Sequence, residues 1–94
     1  MAVLIRCKGK DLKILPKNQN YFTKEEVQEI LGTTFLRIEK VSKKFSIIFD
    51  DRPSPDVTFL NTQAKTLLEN NGKSDVVYGD SLHLKDTEFY FTQD

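Results

Sequence analysis

Two β-rich runs followed by one helix-period run occur twice before Gly72, and this alternation constrains the fold more than any other feature of the chain. The first set is "AVLIR", "DLKIL" and "YFTKEEVQEILG"; the second is "TTFLRIEKV", "KFSIIFD" and "FLNTQAKTLLENNG". Side chains repeat every two residues across a strand and every 3.6 around a helix, so the apolar spacing of each run reports its geometry. The opening run predicts a strand over residues 2–6, followed by a turn at Gly9. In the next run Leu12 and Ile14 share one face, with Lys13 and Leu15 on the other. Pro16 ends it, because proline has no N–H to donate to a ladder.

The first helix carries both its start and its stop. Thr23 followed by Glu26 has capping-box spacing, and Phe22 with Val27 has the spacing of a hydrophobic staple. Glu25 and Glu26 lie where the positive end of the helix dipole favours acids. Val27, Ile30 and Leu31 form the stripe to be buried, and Gly32 supplies a left-handed cap.

The two runs that follow are separated by "SKK" and predict an antiparallel hairpin. Leu36, Ile38 and Lys40 fall on one face of its first strand. Phe45, Ile47 and Phe49 fall on one face of its second, with Ile48 opposite. A loop, "DDRPSPD", leads to a second helix whose stripe is Leu60, Ala64, Leu67 and Leu68, ended by Asn71-Gly72. Residues 76–78 and 81–84 flank a Gly79-Asp80 turn, and residues 88–91 predict a closing strand. There Phe89 and Phe91 share a face and Tyr90 lies opposite, which suits insertion into the sheet. The order β-β-α-β-β-α-β-β predicts a single α+β domain over residues 1–94, an antiparallel sheet with two helices packed on one face.

Composition narrows the function classes. The 94 residues carry 14 Lys and Arg against 14 Asp and Glu. Without an excess of positive charge, general DNA binding is disfavoured, since that affinity comes from phosphate neutralisation. The apolar start is too short for a signal peptide or a membrane span, and the lone Cys7 suits a reducing compartment; both predict a cytoplasmic protein.

Chemistry-bearing residues are scattered. His83, between Leu82 and Leu84, lacks the Cys or acid partners of a zinc site and reads as a surface or edge-strand histidine. Cys7 reads as a small half-buried apolar residue. No glycine-rich phosphate loop is present. Asp50, Asp51 and Asp56 could hold a hydrated Mg²⁺ weakly, but read first as a solvated loop, so neither a metal nor a cofactor is expected. Lys8, Lys10, Lys13 and Lys17, and Lys43 and Lys44 at the hairpin tip, could meet a phosphate or could guard sheet edges. An enzyme would need Asp50, His83 and Cys7 to converge in one cleft, and no catalytic constellation is expected.

Four stretches in order, "YFTKEEVQEILGTTFLRIEKV", "IIFDD", "FLNTQAKTLL" and "SDVVYGDSLHL", resemble a family of small phage and mobile-element domains of unknown function. The likeness spans residues 21–84; the single Gly32, where a glycine pair is common, and the insert "RPSPD" depart from the family pattern. The resemblance implies a mobile-element origin and action by binding inside the host cytoplasm. One expectation is a non-catalytic sponge for a nucleotide-derived host immune signal, assembled as a homo-oligomer. The alternative is a protein–protein inhibitor of a host defence enzyme or effector, working through a sheet edge or the acidic loop. Asn61 could cap the second helix, or the Asn61-Thr62 helix start could receive an anion on its free N–H groups. The candidate ligand contacts are Asn61, Thr62, Lys17, Asn18 and Arg37.

Overall fold

A computed structural model describes residues 1–52 and 59–92. The elements are β1 (Ala2–Ile5), β2 (Leu12–Ile14), α1 (Lys24–Leu31), β3 (Leu36–Lys40), β4 (Phe45–Asp50), α2 (Thr62–Glu69) and β5 (Ser81–Lys85), followed by a 3₁₀ turn at Asp86–Glu88. The strands form one sheet in the order β2-β1-β5-β4-β3, every neighbouring pair antiparallel. Two hairpins, β1–β2 and β3–β4, are thus joined by β5 between them. The α+β class is as the sequence predicts, and the element order agrees up to β5.

The two helices lie on opposite faces of the sheet, not on one. The α1 side gathers Ala2, Leu4, Leu36, Ile48, Leu82 and Leu84 beneath Val27, with Phe22 and Phe89 alongside. The α2 side gathers Ile5, Ile47 and Phe49 beneath Ala64 and Leu68. The reason is in the strands. β1 alternates Ala2 and Leu4 with Val3 and Ile5, and β4 sets Ile48 against Ile47 and Phe49, so both are apolar on both faces. Each face therefore has to be covered, since burying one such side chain contributes about 1.5–3 kcal/mol.

Local signals act as read. Thr23 Oγ1 accepts from Glu26 N, and Gly32 ends α1 at φ 68°, where a side chain would be strained. The Glu26 carboxylate also accepts from Lys17 N at 3.0 Å, tying the β2–α1 connection to the helix. At the end of α2, Lys73 N reaches back to Leu68 O and Gly72 N to Glu69 O, closing the last turn.

The tail departs from expectation. Residues 88–91 form no sheet strand. Glu88 closes the 3₁₀ turn by accepting from Lys85 N, and Phe89 makes only an isolated parallel bridge to Phe22. Phe89 and Phe91, 5.3 Å apart, cover the α1 core edge, while exposed Tyr90 meets Tyr21 edge-on. Of residues 76–78, only Tyr78 pairs, in a single bridge with Leu60. Among the described residues no helix is long and apolar enough to cross a membrane.

Candidate functional site

The residues expected to meet a ligand are held apart, and most already serve the fold. Asn61 is 1% exposed. Its Oδ1 accepts from Ala64 N at 3.1 Å, the cap of α2. Its Nδ2 donates to Ile5 O at 2.8 Å and Gly79 O at 3.0 Å. Both amide hydrogens are therefore engaged, and Asn61 pins α2 to β1 and to the turn before β5. Thr62 is exposed beside it, its carbonyl accepting from Thr66 Oγ1. Lys17 and Asn18 belong to the other side of the sheet: Lys17 Nζ lies 3.5 Å from Glu29, and Asn18 Oδ1 accepts from Asn20 N and Tyr21 N. Arg37 sits on the β3 edge, donating to Glu39 at 3.1 Å and Asp75 at 2.8 Å. These five residues do not form one site.

Asp50, His83 and Cys7 are not brought together in one cleft either. Asp50 is bound to Thr33 and Arg52, and strand alternation puts it on the face opposite His83. The Cys7 thiol is pushed up by burial and then by the hydrogen bond and charge of Asp80, so it is less nucleophilic than a free thiol. Among the described residues no three His, Cys, Asp or Glu side chains converge to hold a metal. Asp56 of the acidic loop lies outside the described residues.

The arrangement with the clearest binding chemistry starts from the α2 face of β4 and β5 and includes the β3–β4 tip. β5 is the central strand, so His83 is not on an edge. It pairs with Val3 on one side and Ile47 on the other. Its ring stacks on Phe45, with centroids 5.1 Å apart and planes inclined by 27°. Both are half-buried, and burial holds the His83 imidazole below its ordinary pKa, so the ring is neutral at pH 7. The register then places Lys85 directly across from Phe45. Lys43 and Lys44 come from the β3–β4 tip, and with Lys85, Asp86 and Thr87 they line an open cavity of about 370 Å³.

The cavity wall is braced. Asp86 N donates to Lys44 O at 2.8 Å, and the Asp86 carboxylate accepts from Ser46 Oγ at 2.6 Å and from Lys40 Nζ. Burial pushes that carboxyl up, but the bonds from Lys40 and Ser46 and the Lys40 charge outweigh it and hold it low. Lys40 is thus neutralised at the rim, while Lys43, Lys44 and Lys85 remain exposed. A flat π surface beside three cations suits a ligand with a planar ring and an anionic group. The sequence displays Lys43 and Lys44 at a hairpin tip. What it conceals is the strand pairing that adds Lys85 and sets His83 against Phe45.

Compared with protein-family models, with curated proteins and with solved structures, the chain matches none.

Proposed function

We infer that this chain is a non-catalytic binding protein for a nucleotide-like anion. The base lies against the Phe45–His83 platform, and the phosphate meets Lys43, Lys44 and Lys85. The observation that carries this reading is the register that sets Phe45 of a stacked aromatic–imidazole couple across from Lys85, one of the three lysines lining a cavity. A neutral ring at His83 costs little to cover, because it brings no charge to desolvate. Base–aromatic stacking contributes about 1–3 kcal/mol and tolerates any base, so phosphate number and spacing would do most of the selecting. The resemblance of residues 21–84 supplies the setting: a phage or mobile-element protein that holds a host immune signal out of circulation.

Titration of the folded protein with AMP, ADP and a cyclic dinucleotide, followed by calorimetry and by the His83 imidazole resonances, tests the reading. Saturable binding should move the His83 signals. Phe45→Ala and the pair Lys44→Glu with Lys85→Glu should each weaken binding at least about tenfold, the loss of roughly 1.4 kcal/mol. If none of the three nucleotides binds, or if these variants bind as the wild type does, the site is wrong.

A further inference from the structure

The sheet ends in β2 on one side and β3 on the other, and these two outer strands differ in kind. The β3 edge carries Arg37, Glu39 and Lys40, each paired with a charge: Asp75, Lys73 and Asp86. The β2 edge is short and sets exposed leucines beside exposed Asp11 and Lys13. Leu12 is 46% and Leu15 is 65% exposed, Ile14 is half-buried, and a groove of about 360 Å³ beside them is lined by Ile14, Leu15 and Ile30 together with Lys17, Glu26 and Glu29. Its outer N–H and C=O groups are a template for another strand.

The geometry points to a second copy of this chain as its occupant, paired antiparallel through β2 about a two-fold axis at Leu12. The stretch Asp11-Leu12-Lys13 is its own complement in that register. Asp11 faces the partner's Lys13, Lys13 faces the partner's Asp11, and the two Leu12 side chains meet. Both charges lie on the α2 face: Lys13 is opposite Val3, and Gln63 of α2 donates to Asp11 at 3.0 Å. Leu12, opposite Leu4, lies on the α1 face with the groove. A two-fold axis normal to the sheet keeps both α1 helices on one side, and Leu12 is covered by the partner's Leu12. Shifting the axis to Lys13 would set lysine against lysine, which opposes that register. Pairing of this symmetry closes on itself and stops at a dimer.

Sedimentation velocity over micromolar to millimolar protein tests the interface, with circular dichroism to verify folding. The wild type should show a concentration-dependent monomer–dimer equilibrium. Asp11→Lys alone leaves two lysines on each edge, facing the same two lysines of the other copy, and Lys13→Asp alone does the same with acids. Each should weaken self-association about tenfold or more, since two pairs turn from attraction to repulsion. Mixing the two variants should restore dimers, because a chain with two lysines then meets a chain with two aspartates. A wild type that stays monomeric, variants that associate as the wild type does, a mixture that fails to pair, or species larger than a dimer would each overturn the proposal.

Discussion

The two faces of the sheet are finished differently. On the α1 face the helix, Phe22 and the aromatic tail cover the sheet as far as the β2 edge, and Ala2, Ile48, Leu82 and Leu84 are fully buried. On the α2 face the helix covers Ile5, Ile47 and Phe49, while Val3, Phe45 and His83 stay half-buried. Both helices have eight residues, so the difference lies in what extends each of them. One face is covered by Phe22, Phe89 and Phe91 up to the β2 edge; the other leaves an open end near lysines. The closed face supplies stability and the open end supplies a surface.

Substitutions should divide along that line. Phe22→Ala, on the closed face, should cost about 3–5 kcal/mol in urea unfolding, because a cavity forms that rigid neighbours cannot fill. A loss no larger than that of Phe45→Ala would erase the distinction between the faces. Asn61→Ala, at the covered end of the α2 face, should cost about 2–4 kcal/mol, from the lost cap and two carbonyls left without their donor. Nucleotide affinity of the folded fraction should be unchanged, and a large loss of affinity would return Asn61 to the binding site. Phe45→Ala, at the open end, should cost only about 1–2 kcal/mol, since part of the ring is already in water. Ser81→Ala should raise stability by up to about 1 kcal/mol: the Ser81 hydroxyl is buried under α2 and, among the described residues, is the one buried side-chain group without a partner.

The smallest effect should be in the pH response. His83 is held below its unfolded value by burial, so the unfolded chain binds the proton more readily. Its share of stability is intact above about pH 6.5 and is lost as pH falls through that value towards the folded pKa. Phe45→Ala should move the His83 titration, followed by NMR, back towards its ordinary position. No movement would mean that Phe45 does not shield the ring.

What could be read in the sequence was what neighbours in the chain determine. Thr23, Phe22 and Gly32 mark α1 because caps and staples act within a few residues. Asn61 was legible as a cap by the same rule. Its two bonds to Ile5 and Gly79 were not, because they come from residues 56 and 18 positions away. The helices' opposite placement was recoverable in principle from β1 and β4, whose apolar residues are not confined to alternate positions; the expectation followed the element order, which does not fix the side each helix takes. Residues 88–91 alternate as a strand does, yet the central position is held by β5, and the tail folds over the core edge instead. The cation–aromatic patch depends on register between strands 40 residues apart, which local pattern does not encode.

The central place of β5 has a consequence for assembly on the ribosome. The β1–β2 and β3–β4 ribbons can form as soon as each emerges, since their pairings are local. Neither touches the other along a strand until residues 81–85 slide between them. Cooperative folding therefore waits for that fifth strand to leave the exit tunnel, and the two ribbons expose their inner edges to chaperones until it does.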